Sequence, residues 1–508
     1  MSGITVLFNQ SKGTINPNIY GHFSEHIGGV FYDGLWVGED AEVENIRGFR
    51  KALVESFAKI NPPVLRWPGG CFAETYDWRD GIGPRARRPR RVNWWYNDDH
   101  RVESNQVGTH EFMDFCRMTG ARPYVAANMT SVTPLHIRDW IEYCNMPAGL
   151  TTLADERAAN GDREPFGVRY WGIGNENWGG GGSMTAEMCA REYLRFATVC
   201  ASLPGEMTFV VCGPNAHDAA WTREVMRTLA GKGHTPAALS VHYYCGTAGA
   251  PQRFTEAEWY QLLHQANYMQ NIVDDHRAAM DEFDPERKTA IFVDEWGCWH
   301  QGGSGPSRGY NLFEQQSSMR DAVVAALTLN IFNNRCDVVA MANVAQLCNN
   351  LHSLYLAGGG HFVETPNYFV YDMYKTHQNA RQLGLANDCG AFGGGEAFRR
   401  AARPLDRVSA SASQAEDGTV TVTLANTSMT EPAGVTLSGL GGTLAGRAAV
   451  TTLAADDPHT CNTFENPKAV QPVTVERAFA DGDSLTLPPA SVTAVVIRGE
   501  ASKAHVPA

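Results

Sequence analysis

Eight short apolar runs, most of them alternating with stretches of helical periodicity, constrain how this 508-residue chain can fold. The runs lie at 17–23, 62–68, 122–128, 168–175, 208–213, 238–244, 289–295 and 338–344. Strands covered on both faces read as short continuous apolar segments of this kind. Helical patterns sit between most of them, among others at 44–58, 109–118, 186–201 and 315–330. Eight β/α alternations predict an α/β chain whose main body, over 17–385, is a (β/α)₈ TIM barrel. A doubly wound open sheet is the rival, but it calls for a glycine-rich dinucleotide turn after the first strand. Gly21-His22-Phe23-Ser24 is no such turn. After residue 385 the texture changes to Thr/Val/Ala alternation with glycine turns. Runs at 418–425, 434–438, 448–454 and 484–498 predict an all-β, jelly-roll-like sandwich over 386–508. One further strand, within 3–9, precedes the barrel in the segment 1–16.

Composition excludes several classes of function. Lys and Arg number 42 against 55 Asp and Glu, a net charge of −13. So acidic a surface suits neither nucleic acid nor an anionic membrane. No apolar run approaches a membrane span. The N-terminus carries no basic, apolar export pattern, so a cytoplasmic protein is expected. The 12 cysteines are scattered without a CxxC pair or a tight Cys/His cluster. They read as reduced, mostly buried thiols, with no metal and no cofactor expected.

A barrel carries its chemistry at the C-terminal ends of its strands. These ends read Gly21-His22-Phe23-Ser24-Glu25-His26, Arg66-Trp67-Pro68-Gly69-Gly70-Cys71, Gly174-Asn175-Glu176-Asn177-Trp178, His242-Tyr243-Tyr244, Asp294-Glu295-Trp296 and Asn343-Val344-Ala345-Gln346. Two carboxylates, Glu176 and Glu295, end the fourth and seventh strands, on roughly opposite sides of the mouth. Paired carboxylates among Trp, Asn, Gln and Tyr suit glycoside hydrolysis. One protonates the leaving oxygen and the other attacks the anomeric carbon or activates water. Asp294 competes with Glu295 for the inward position. Alternation along a strand turns only one of two neighbours inward, and the expectation is Glu295.

These ordered segments, with Leu65 to Phe72, Met341 to Leu347 and the late run Asp457-Pro458-His459 through Asn466-Pro467, resemble glycoside hydrolase family 51, the α-L-arabinofuranosidases. The resemblance spans most of the chain. It implies a retaining, exo-acting enzyme that releases terminal arabinofuranose from arabinan or arabinoxylan oligosaccharides without a cofactor. It implies Glu176 as acid/base and Glu295 as nucleophile. Asn175 would bond the sugar 2-hydroxyl, and Glu25, Cys71, Asn175, Tyr244 and Gln346 would line the furanose pocket. His242 and Tyr244 would hold the nucleophile's surroundings. It further implies an N-terminal strand that joins the sandwich, and a homo-oligomer, hexamer or trimer. Glu176's pKa is expected to be high while Glu295 is ionised and to fall once Glu295 is esterified. Where the family usually has Met-Asp-Gly after the acid/base, this chain has Asn177-Trp178-Gly179-Gly180-Gly181-Gly182. With the loop 90–100, that places aglycone choice in question.

Other readings compete. The same scaffold could serve a β-xylosidase or endo-glucanase, or a non-catalytic carbohydrate-binding protein. His22, Glu25 and His26 spell H-x-x-E-H, a zinc-peptidase pattern that requires a helix, whereas flanking glycines predict a loop. Cys71 reads as pocket wall rather than nucleophile, and His242 as either core or pocket. Of Trp94, Trp95, Trp178, Trp296 and Trp299, at least one is expected on a sugar platform. Gly179 to Gly182 lack the GK[ST] of a phosphate cradle. The five arginines between Arg85 and Arg91 read as a solvated loop.

Overall fold

The protein is described from a computed structural model covering residues 3–97, 101–246 and 248–498. Residues 98–100 of the loop 90–100, and 499–508 of the segment 386–508, lie outside the described residues. Eight parallel strands close into a barrel in chain order: β1 Gly21–Phe23, β2 Val64–Trp67, β3 Arg122–Ala127, β4 Tyr170–Ile173, β5 Thr208–Val211, β6 Ala238–Cys245, β7 Ala290–Cys298 and β8 Val339–Ala345. β8 pairs with β1 to close the ring, Asn343 opposite Gly21. Its floor is plugged by Val64, Tyr124, Tyr170, Val210, Ala238, Phe292 and Met341, one apolar cluster drawn from seven strands. The barrel interior is therefore a packed core, open for chemistry only at the rim.

The outer helices are α1 Lys51–Lys59, α2 Thr109–Thr119, α3 Pro134–Asn145, α4 Thr152–Ala159, α5 Ala186–Cys200, α6 Ala219–Ala230, α7 Glu256–Asn267, α8 Met269–Asp281, α9 Met319–Asn334 and α10 Pro366–Tyr374. Several boundaries differ from the sequence expectation for local reasons. Residues 17–20 form a 3₁₀ turn, because Pro17 sits at its first position and Asn16 caps it. Only Gly21–Phe23 remains as strand. The helix expected from 44 begins at Lys51, since Asn45–Ile46 and Phe49–Arg50 form a short hairpin around Arg47 and Gly48, both at positive φ. The run 484–498 is two strands, Asp483–Leu487 and Ser491–Arg498, broken by Pro488 and Pro489.

Nine strands form the remaining large sheet. In spatial order they are 473–479, 446–453, 491–498, 420–426, 408–414, 381–387, 3–7, 433–440 and 483–487. The strand Gly3–Leu7 lies antiparallel to Arg381–Asn387 and parallel to Ala433–Leu440. Val435 and Leu437 from one end share an apolar cluster with Ala448, Val495 and Ile497 from the other, so the sheet curls over a core of its own. Its other face meets the barrel through α9. That helix is buried on almost every side, and most of its residues are apolar. The contact is polar: Asn330 bonds Ser409 and Asn333 bonds Ser411. His377 stands 2.7 Å from Ser413 Oγ and 3.0 Å from Thr423 Oγ1. The alternating Ser and Thr of 408–414 and 420–426 are therefore buried rather than solvated. Among the described residues, no helix is long and apolar enough to cross a membrane.

Candidate active site

Six of the eight strands bring side chains to the rim, two of them by a local device. At the end of β4, Gly174 and Glu176 both adopt positive φ, 86° and 43°. Such a conformation costs a non-glycine residue roughly 1 kcal/mol or more and clusters at functional sites. It is held from below by Glu74, a buried carboxylate in the 3₁₀ turn after β2. Its Oε1 accepts from Asn175 N at 2.5 Å and Asn177 Nδ2 at 3.2 Å; its Oε2 accepts from Met129 N at 3.0 Å and Thr130 N at 2.9 Å. One carboxylate thus ties the ends of β2, β3 and β4 together beneath Glu176.

On β7 the strand alternation fails. Ser240 pairs with Phe292, yet His242 pairs with Glu295, so β7 carries an extra residue between those positions. This bulge turns Asp294 and Glu295 to the same side. Both face His242 and Arg66, which corrects the expectation that only one of them looks inward. Glu295 Oε1 accepts from Arg66 Nη1 at 2.7 Å and Oε2 from Tyr244 Oη at 2.9 Å. Asp294 accepts from Tyr124 Oη at 2.8 Å and lies 3.1 Å from His242 Nε2.

Across the mouth, His242 Nδ1 is 2.9 Å from Glu176 Oε1. Carboxylate oxygens of Glu176 and Glu295 and a ring nitrogen of His242 all lie within 4.8 Å of one another. Cys71 Sγ sits 3.6 Å from the other Glu176 oxygen. Arg66 Nη2 donates to Asn175 Oδ1 at 2.6 Å, and Asn175 Nδ2 turns to Cys71. Glu25 Oε1 accepts from Phe72 N at 3.0 Å and Oε2 from Gln346 Nε2 at 3.1 Å, while Glu25 N donates back to Gln346 Oε1 at 2.8 Å. Gly70 makes room for this: a Cβ there would stand 2.7 Å from both Glu25 oxygens. Glu25, Cys71, Asn175, Glu176, His242, Tyr244, Glu295 and Gln346 thus meet in one cluster.

The charges are unevenly shared. Burial alone would lower the pKa of His242, but Glu295, Asp294 and Glu176 around it raise it well above its ordinary value. Both ring nitrogens face carboxylates, so the imidazolium form satisfies all of them. Burial likewise would raise Glu176, yet the His242 hydrogen bond and charge hold it below the usual carboxylate range. In the free protein, then, the proton sits on His242, the reverse of the elevated Glu176 expected from sequence. Burial and the neighbouring Glu295 charge push Glu25 up to about 8, so it is a neutral acid at pH 7. Burial, with Glu176 close by, pushes the Cys71 thiol far up; it stays protonated and is no nucleophile.

The H-x-x-E-H pattern disperses. The His22 ring packs against Phe57 and Tyr371 outside the barrel, whereas His26 accepts from Trp67 Nε1 and faces Glu103. Among the described residues two groups could offer a cation three ligand atoms: Glu176, His242 and Glu295, and, outside this site, Cys298, Asp321 and His352. The first already meets the guanidinium of Arg66 and the charge on His242. Of the tryptophans, Trp296 is core. Trp299 stays 38 % exposed, edge-on to the Tyr244 ring at 5.2 Å, and Trp94 is 67 % exposed on the hairpin before residue 98. The arginine-rich loop is ion-paired: Arg85 and Arg88 meet Glu111, and Arg91 meets Asp80. Arg66, Glu74 and Tyr124 carry no role in the sequence reading. Their partners sit at other strand ends, far away along the chain.

Comparison with known proteins converges on one family. Residues 56–244 match the model of the α-L-arabinofuranosidase 1 domain, and residues 294–491 that of the α-L-arabinofuranosidase C-terminal domain. An intracellular exo-α-L-arabinofuranosidase of Bacteroides ovatus is 38 % identical over 475 residues, covering 92 % of this chain and 90 % of that protein. The crystal structure of a family 51 arabinofuranosidase from Xanthomonas axonopodis pv. citri superposes with a TM-score of 0.90 at 36 % identity, covering 98 % of this chain and 100 % of that one. The arabinose complex of an α-L-arabinofuranosidase from Thermotoga maritima superposes at 0.87 with 28 % identity, with the same coverage.

Proposed function

Because this chain belongs to the α-L-arabinofuranosidases of glycoside hydrolase family 51, we propose that its rim carboxylates cleave the arabinofuranosyl bond by double displacement, with retention. The chain is an exo-acting α-L-arabinofuranosidase. The observation that carries the retaining reading is the approach of Glu176 and Glu295 oxygens to within 4.8 Å. Retaining enzymes hold the two carboxyls about 5–5.5 Å apart, whereas inverting enzymes leave about 6.5–9.5 Å for a water.

Glu295 is the nucleophile. Arg66 and Tyr244 each bond one of its oxygens, which keeps it aimed. Glu176 is the acid/base. Its side chain is 19 % exposed against 7 % for Glu295, as suits the group that meets the leaving oxygen and then water. When the glycosidic oxygen enters, the proton held on His242 Nδ1 passes to Glu176 Oε1 and on to the leaving group while Glu295 attacks C1. Once Glu295 is esterified its charge is gone, and Glu176 takes a proton from the incoming water. Neutral Glu25, with Gln346, Asn175 and Cys71, bonds the furanose hydroxyls.

Two finer readings accompany this. The substrate is a short arabinan or arabinoxylan oligosaccharide met in the cytoplasm. Support comes from the intracellular Bacteroides relative. The protein works as a homo-oligomer, a trimer or hexamer by family resemblance.

The test is hydrolysis of 4-nitrophenyl α-L-arabinofuranoside with azide added. Glu295→Ala is expected to be inactive and to be rescued as the azide of inverted configuration. Glu176→Ala is expected to accumulate glycosyl-enzyme and to be rescued with configuration retained. A wild type whose first product anomer is inverted overturns the retaining reading, and a fully active Glu295→Ala overturns the assignment of the nucleophile.

A further inference from the structure

Behind the nucleophile lies a second cluster that the hydrolysis does not use. Cys298 is the last residue of β7, and its register partner on β6 is Cys245, whose thiol interacts with it across the strand pair. Asp321 sits in the first turn of α9, and His352 in the loop after β8. Cys298 Sγ, an Asp321 oxygen and a His352 ring nitrogen lie within 4.8 Å of one another, and all three residues are fully buried. The backbone makes room for them. Gly297 has φ +145°, and a Cβ there would stand 2.5 Å from His352 Cβ.

Such a layer of a barrel is ordinarily apolar. Here it holds two thiols, a carboxylate and two imidazoles. Asp321 Oδ1 faces His300 Nε2 at 2.8 Å and Oδ2 accepts from Ser318 N at 2.8 Å, so the carboxylate is aimed from both sides. His352 Nδ1 accepts from Cys298 N at 3.2 Å, but its Nε2 has no partner, whereas His300 also meets the Cys298 thiol. Buried nitrogens left without a bond are uncommon and costly, and each calls for an explanation.

We propose that Cys245, Cys298, Asp321 and His352 form a closed structural site for one Zn²⁺ ion. Mixed sulfur, nitrogen and oxygen donors favour zinc over calcium or magnesium, which take oxygen alone. Four protein ligands leave no open position, so the ion is structural rather than catalytic. Tetrahedral zinc places its ligand atoms about 3.5 Å apart, so Cys298, Asp321 and His352 need roughly 1 Å of side-chain closure, and the Cys245 thiol must turn in from its contact with Cys298 to complete the set. On binding, each cysteine thiol gives its proton to solvent and bonds the ion as thiolate. His300 remains outside, bonded to Asp321, in the orienting role that such outer partners play. The ion would join the ends of β6, β7 and the loop after β8 to the start of α9. It would thereby fix the segments that carry Tyr244, Glu295 and Trp299.

The test uses the full-length protein produced with zinc in the medium and purified without chelator. Elemental analysis is expected to find one zinc per chain in the wild type and in Glu176→Gln, and none in Cys298→Ala or His352→Ala. Cobalt incorporated in place of zinc should give a near-ultraviolet thiolate-to-metal band and the intense visible bands of a tetrahedral site. The Tm of the wild type should fall when zinc is withheld. Should both variants fail to fold, the wild-type cobalt spectrum and Cys245→Ser decide. A wild type without stoichiometric zinc overturns the proposal. So does zinc that persists in both variants, zinc lost from Glu176→Gln, or a cobalt form with no thiolate band.

Discussion

His242 Nδ1 stands 2.9 Å from Glu176 Oε1, and His242 Nε2 stands 3.1 Å from Asp294 Oδ1. The acid/base thus shares one proton with a histidine that three carboxylates keep charged. The pair releases that proton only when pH exceeds the raised value of the histidine, so the enzyme stays competent on the alkaline side of pH 6.5. In His242→Gln the proton must sit on Glu176 alone. The alkaline limb of kcat/KM is expected to fall by about one pH unit or more, and kcat by roughly 10- to 100-fold. A pH–rate profile of the two proteins checks this. An unmoved alkaline limb refutes the shared proton.

Arg66 meets Glu295, Asn175 and Asp294 with one guanidinium. A lysine supplies the charge but not the fork. Arg66→Lys should fold, with kcat/KM reduced about 100-fold, because Glu295 and Asn175 can no longer be aimed together. Arg66→Ala leaves two buried carboxylates short of their cation and should lose about 3–5 kcal/mol of stability. Urea unfolding beside steady-state kinetics separates the two effects. Equal activities in the two variants would show that aiming is not what Arg66 does.

Gly70 leaves the space into which the Glu25 carboxyl fits. A methyl group there would press on both oxygens of Glu25. Gly70→Ala should therefore move Glu25 off Phe72 N and Gln346. KM for the aryl arabinofuranoside should rise about 10-fold or more, with Tm changed by only a few degrees. An unchanged KM would remove Glu25 from sugar binding.

What the sequence discloses follows how local each determinant is. The barrel was legible because each strand is a short apolar run with its own turn. Glu176 and Glu295 were legible because Asn175 and Trp296 beside them mark strand ends with sugar chemistry. Arg66 and Glu74 were not, since only closure of the barrel brings Arg66 to Glu295, or Glu74 to Asn175 and Met129. Asp294 departs from the expected alternation because the bulge in β7 cancels it. Cys298, Asp321 and His352 fall in no recognisable spacing, and each is supplied by a different strand, helix or loop. The burial of Ser and Thr on 408–414 and 420–426 was equally hidden. It depends on α9 lying across them.

That same contact makes stability depend on acid. His377 is fully buried between Ser413 and Thr423, and burial pushes its pKa down to about 3. His22, packed against Phe57 and Tyr371, is likewise pushed down to about 3. In the unfolded chain both titrate near 6.5. Above that pH the folded and unfolded states bind the same number of protons at these sites. As pH falls below it, only the unfolded chain takes them up, and stability drops by up to about 1.4 kcal/mol per pH unit for each histidine until pH approaches 3. Urea unfolding of the wild type and of His377→Gln between pH 7 and 4.5 isolates one of them. Glutamine keeps one hydrogen bond to the Ser413–Thr423 pair and does not titrate. The wild type should be the more stable at pH 7, and the gap should close by roughly 1 kcal/mol per unit below pH 6. A gap that stays constant across that range would mean that His377 is protonated in the fold, and that the barrel meets the sheet through a charged contact instead of a neutral one.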